Sequence, residues 1–110
     1  MEPRPLQQIR VWTDSSVKQT NLALYSSLYF MHLMPSDGTG ENPQWQSIEP
    51  YWDDIYTLWD IFRNTISLYH LIQPTYYANM IRSLIDIWRF EGFMPDGRSG
   101  NWSSARWYER

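Results

Sequence analysis

The chain has 110 residues, enough for one domain or less, and a hydrophobic content of 43% that argues against disorder over most of its length. Net charge is −3 with no basic stripe, which disfavours nucleic acid as a partner, and no run of ~18 apolar residues is available to cross a membrane as a helix. Cysteine is absent, so disulfides, thiol catalysis and Cys-based zinc sites are excluded, although this says nothing about compartment.

The first residues, Met1-Glu-Pro-Arg-Pro5, lack a charged-then-apolar leader. Ile9, Val11 and Trp12 are expected to form a short extended piece. A first helix is predicted over Ser16–Met34, capped by Ser15 or Ser16 and stopped by Pro35. Leu24, Leu28, Met31 and His32 recur on it at helical spacing, with Tyr25 and Tyr29 beside them. Residues 35–52 read as a long ordered loop, turned by Gly and Asn and stiffened by Pro43 and Pro50. A loop of that length in a compact protein is usually functional.

A second helix is predicted over Asp53–Ile72, capped by Asp53 or Asp54, with Ile55, Leu58, Trp59, Phe62, Ile66 and Tyr69 as its apolar stripe. Pro74 stops it. A third helix is predicted over Thr75–Glu91, with Gly92 as its C-terminal stop. Its stripe is Tyr77, Met80, Ile81, Leu84 and Trp88, and Arg82, Asp86 and Arg89 form a solvated face opposite. A second polar loop, 93–101, follows. The tail, 102–110, carries no clear pattern.

The predicted class is therefore all-α. The short link at Gln73–Thr75 makes the last two helices an antiparallel pair, and both long loops then fall at one end. Barrels of paired helices are built this way, but three helices cannot close one and would leave apolar surface uncovered.

Seven Trp, eight Tyr and four Phe fit either a core of large side chains or a carbohydrate site, where flat rings pack on the C–H face of a sugar. Asp37, Glu41, Glu49, Asp53, Asp54 and Asp96 lie in or beside the loops. Glycoside hydrolysis needs two such carboxylates astride the bond, but acids are ordinary in loops. Trp59, Asp60 and Arg63 form the next candidate group. Asp60 and Arg63, three apart, read either as a local ion pair or as a carboxylate that accepts sugar hydroxyls with Arg63 fixing its geometry.

Asp37-Gly-Thr-Gly-Glu-Asn42 is oxygen-rich, as calcium requires, but departs from EF-hand spacing and reads more simply as a turn cluster. His32 and His70 stand alone on different helices and read as structural. Asn101-Trp-Ser103 is an N-glycosylation sequon, relevant to an exported chain.

Several of these segments together resemble a known family. They are Leu24-Tyr-Ser-Ser-Leu-Tyr29, Pro35-Ser-Asp-Gly-Thr-Gly-Glu-Asn-Pro43, Tyr56-Thr-Leu-Trp-Asp-Ile-Phe-Arg63, Ile81-Arg-Ser-Leu-Ile-Asp-Ile87 and Glu91-Gly-Phe-Met-Pro-Asp-Gly-Arg-Ser-Gly-Asn101. The pattern is similar to the catalytic domain of glycoside hydrolase family 92, the α-mannosidases, and most like its fungal members. The similarity runs from about residue 10 to 101, with 102–110 as a divergent tail. Leu58-Trp-Asp-Ile-Phe-Arg63 is its most specific part.

The resemblance implies a calcium-dependent, inverting exo-α-mannosidase acting on mannose-containing glycans, N-glycans among them. It implies an (α/α)6 barrel beside a β-sandwich, and frequent secretion. It places Trp59, Asp60 and Arg63 in the mannose pocket, with Asp60 bonded to sugar hydroxyls and the loop from Pro35 to Trp52 at the border. The family's general acid lies in a downstream Glu-Gly-Asn motif, from which Glu91-Gly92-Phe93 departs. Its general base precedes a Cys-Gly, and this chain has no cysteine. The chain is thus expected to be a helical piece of a larger enzyme, holding no catalytic residue and inactive alone. Its partners would be glycan and the rest of the barrel, or another copy of itself. The alternative is a small all-α module that binds carbohydrate or protein without catalysis; a piece with no function of its own is a third possibility.

Overall fold

The computed structural model describes residues 18–104. The expected extended piece at Ile9, Val11 and Trp12, the Ser15 or Ser16 cap and the end of the tail lie outside the described residues. The chain divides into two compact units, residues 1–33 and 34–110.

In the first unit α1 spans Lys18–Met31. It buries Leu28 but leaves Leu24 and Tyr29 exposed, so the predicted stripe is only partly used. The helix ends three residues before the expected Met34. Residues 32 and 33 tighten into a turn, with the N–H groups of His32 and Leu33 donating to the carbonyls of Tyr29 and Phe30. The His32 ring nitrogen Nδ1 bonds the Leu28 carbonyl at 2.7 Å, a structural use of this histidine.

The second unit opens with a two-stranded antiparallel sheet. Strand β1 (Ser36–Asp37) pairs with β2 (Trp52–Asp53) in the register Ser36–Asp53 and Asp37–Trp52. The strands fasten both ends of the first long loop. Within it, Asp37 Oδ1 accepts from the Thr39 N–H and hydroxyl, and Asn42 Oδ1 accepts from the Gln44 N–H. These side chains replace backbone partners that a loop otherwise lacks, which orders it.

The predicted second helix is the main correction. Residues 53–57 are not helical: Asp53 belongs to β2, Asp54 has φ of 52°, and Ile55 bridges to Arg98. Helix α2 covers only Leu58–Ile61, and α3 runs from Thr65 to Ile72. The helical stripe is real in spacing, but the backbone bonds of Ile55 and Leu58 to the second loop keep 53–57 out of a helix. Asn64 then restarts the helix, its side-chain oxygen accepting the Thr65 N–H.

One residue, Gln73, separates α3 from α4 (Pro74–Glu91), and the two helices pack on each other. Pro74 suits the first turn because its missing N–H would be unpaired there anyway. Gly92 ends α4 as expected, in the left-handed conformation with φ of 84°.

The last element is a hairpin of β3 (Gly97–Ser99) and β4 (Trp102–Ser104), with Gly100 and Asn101 both at positive φ in its tight turn. These sheets make the described chain mixed rather than all-α.

The core is Trp52, Ile55, Met80, Leu84 and Ile87, flanked by Trp45, Leu58, Ile66, Tyr76 and Ile81. Each fully buried aliphatic side chain contributes about 1.5–3 kcal/mol. Tyr76 sits edge-on to both Trp52 and Tyr69, at ring distances of 4.5 and 5.0 Å. The buried Ser83 hydroxyl oxygen accepts the Trp52 N–H at 2.9 Å and ties β2 to α4.

Candidate functional site

The two long loops meet, as the alternation of loops and a tight link implied. Their meeting point is Arg98, whose side chain is wholly buried. Its guanidinium donates to Glu91 and Ser103 through Nη1, and to Gln44 and the Tyr51 hydroxyl through Nη2. Its Nε lies 3.5 Å from Asp53 Oδ1, near enough for attraction between charges but not aligned for a hydrogen bond. The rings of Trp45 and Tyr51 lie 5.4 and 5.6 Å from its central carbon. Burial works against the charge, but the Tyr51 hydroxyl and the Glu91 carboxylate outweigh it and raise the pKa above the ordinary arginine value. Sequence reasoning gave Arg98 no role. The only signal was an arginine inside an otherwise turn-forming Pro-Asp-Gly-Arg-Ser-Gly segment.

Asn101 completes the junction. Its N–H donates to Asp53 Oδ2, its carbonyl accepts from Gln44, and its side-chain oxygen accepts from the Tyr51 hydroxyl. Residues of the sequon thus serve the fold: Asn101 joins the loops, and Ser103 is bonded to Arg98.

Four of the other loop acids, Asp37, Glu49, Asp54 and Asp96, hold the same framework. Asp54 accepts from Ser36 and Ser99, and Glu49 pairs with Arg82 at 2.7 Å and lies 4.0 Å from Arg89. Asp37 is folded onto Thr39, and Asp96 accepts the Trp59 N–H. Among the described residues no three His, Cys, Asp or Glu side chains cluster as a metal would need. The turn at Asp37–Asn42 does not supply such a set, so no step through calcium follows from these residues. The His70 ring stands edge-on to Tyr77 at 5.2 Å.

Trp59, Asp60 and Arg63 lie on the short α2 and the turn after it, and all three are exposed. Trp59 is 75% accessible, so it is not part of the core stripe assigned to it above. Because the helix ends at Ile61, Asp60 and Arg63 are not on consecutive turns, and no ion pair joins them among the described residues. Arg63 instead covers the Phe62 ring, 5.1 Å from its centre. The backbone beneath is well held: the N–H groups of Leu58 and Trp59 donate to the Asp96 carbonyl and to Asp96 Oδ1 at 2.7 and 3.2 Å.

Asp86 is a further correction. It is 4% accessible, not on a solvated face, and accepts the Trp45 indole N–H. A recess of about 540 Å³ opens beside it, lined by Asn42, Trp45, Ser47, Glu49, Tyr51 and Asp86 among others. Its walls mix ring surface with amide, hydroxyl and carboxylate groups. Among the described residues no helix is long and apolar enough to cross a membrane.

Comparison with known proteins agrees with the family suggested by the motifs. The model of the glycosyl hydrolase family 92 catalytic domain matches residues 3–106. An uncharacterized secreted glycosidase from Arthroderma benhamiae is 48% identical over 40 residues, which is 36% of this chain and 5% of that relative. The chain therefore matches a small fraction of the curated relative's length. No solved structure matches. With the conserved-domain match spanning nearly the whole chain, this protein belongs to glycosyl hydrolase family 92.

Proposed function

We propose that this chain is a segment of a secreted, inverting exo-α-mannosidase that removes terminal mannose from glycans, and that it supplies part of the mannose pocket. The observation that carries the proposal is Trp59: a large ring left 75% open on a backbone fixed by hydrogen bonds. Such a ring costs little ordering when a sugar's C–H face packs on it. Asp60 accepts sugar hydroxyls there, and Arg63 donates to them.

The catalytic acid and base are assigned to other parts of the enzyme. Hydrolysis with inversion needs two carboxylates roughly 6.5–9.5 Å apart with a water between them. Here Asp37, Glu49, Asp53, Asp54 and Asp96 are occupied in holding the loops. Exposed apolar side chains on α4, Ile85, Trp88 and Phe90, favour a segment of a larger body over a self-sufficient binding module.

The test is purified chain assayed with an aryl α-mannoside, together with a methyl α-mannoside titration followed by tryptophan NMR. No turnover and a weak binding isotherm that Trp59→Ala abolishes are expected. Turnover by the chain alone contradicts the division of labour; binding indifferent to Trp59 contradicts the pocket.

A further inference from the structure

Helix α2 begins without help from its own flank, because the Thr57 side chain makes no capping bond. The acceptor comes from 37 residues downstream: Asp96 Oδ1 takes the Trp59 N–H at 3.2 Å. The Asp96 carbonyl takes the Leu58 N–H at 2.7 Å, and the Arg98 N–H donates to the Ile55 carbonyl at 3.0 Å. Asp96 is itself anchored, its N–H donating to the Ser104 carbonyl at 2.9 Å. The second loop thus braces the start of the segment that carries Trp59, Asp60 and Arg63.

We infer that Asp96 is a positioning residue for that group, an inference that rests on the function proposed above. Asp96 acts through the backbone of Trp59. Its carboxylate accepts an N–H of the first helical turn that the Thr57 side chain leaves uncapped. Without it, the four-residue helix keeps only the Leu58 N–H bond to the second loop, and the indole and the Asp60 carboxylate lose a fixed presentation. Binding must then order them again, which weakens affinity.

The experiment uses the full chain with Asp96→Ala, Asp96→Asn and Asp96→Glu. Amide hydrogen exchange is read at Trp59, and methyl α-mannoside affinity is read on the Trp59 indole resonance, with thermal melts in parallel. Asp96→Ala is expected to speed Trp59 exchange and to weaken affinity roughly five- to tenfold, the size of one ordinary net hydrogen bond. Asp96→Asn, which keeps the oxygen, restores most of both. Asp96→Glu displaces the acceptor by one methylene and weakens affinity as alanine does, which covers the case of an alanine variant that does not fold. Parent-like affinity in whichever of the alanine and glutamate variants folds overturns the inference and leaves the proposed function standing; so does a lowered melting temperature with affinity unchanged. A parent chain that binds no mannoside overturns the proposed function, and the inference falls with it.

Discussion

The indole N–H of Trp45 donates to Asp86 Oδ2 at 2.9 Å, joining the middle of the first loop to the buried side of α4. Phe90, one turn further along α4, stacks on the same indole at 5.1 Å between ring centres. Replacing Asp86 with Ala leaves a partly buried donor without its acceptor. The expected cost is about 1–3 kcal/mol in urea denaturation, and Asp86→Asn recovers most of it by keeping an oxygen in place. Equal stability of the alanine variant and the parent would contradict this bond's role.

Arg98 makes a sharper case. Its removal strands Glu91 and Asp53, whose side chains are 20% and 17% accessible. Arg98→Met is expected to cost about 3–5 kcal/mol, the range for breaking a buried pair from one side. Arg98→Lys is not a rescue, because a single ammonium cannot serve Glu91, Ser103, Gln44 and Tyr51 in one fixed fork. Guanidinium chloride melts of the three proteins give the comparison.

Alkaline pH acts through Tyr69 and Tyr76. Burial raises the pKa of both hydroxyls above the ordinary 10, and that of Tyr76 is pushed up to about 12. An acid whose pKa is raised by folding binds its proton more tightly in the folded state. Stability from this pair is therefore complete below pH 10 and declines as pH rises through 12. Melting temperatures should be level up to pH 10 from this source, and Tyr69→Phe should make the decline beyond it shallower. An unchanged slope in the variant would place the alkaline loss elsewhere.

Gly92→Ala tests the end of α4. With φ at 84° and nothing within 4 Å of the added methyl, the whole cost is backbone conformation. About 1 kcal/mol of destabilisation is expected by urea titration, and Asn at this position should cost less.

Much of this architecture was legible in the residues. Helix α4 was found within one residue at its start and at its true end, because Pro74 and Gly92 punctuate it. The meeting of the two loops followed from the tight link at Gln73. What failed was reading residues 53–57 as the start of the second helix and carrying it unbroken through 62–64. The spacing of Ile55, Leu58, Phe62 and Ile66 is helical, but Ile55 and Leu58 spend their backbone groups on Arg98 and Asp96, partners about forty residues away that no local pattern announces. The same blindness put Asp86 in solvent and Trp59 in the core. A carboxylate at a helical spacing shared with Arg82 and Arg89 looks exposed until Trp45 is known to reach it. Arg98 was invisible because its partners come from Gln44, Tyr51, Glu91 and Ser103, which no single motif contains.

The Arg98 junction also dictates an order of events during synthesis. Gln44 and Tyr51 leave the ribosome long before Arg98 does, and Gln44 meets the Asn101 carbonyl across 57 residues. Until the hairpin has emerged, the first loop is held by its own short turns, by β1–β2 and by its bonds to α4, but not by the arginine. Its aromatic side chains, Trp45 and Tyr51, then wait without the cation they enclose. The junction is therefore complete only once β3 has closed on β4 behind α4.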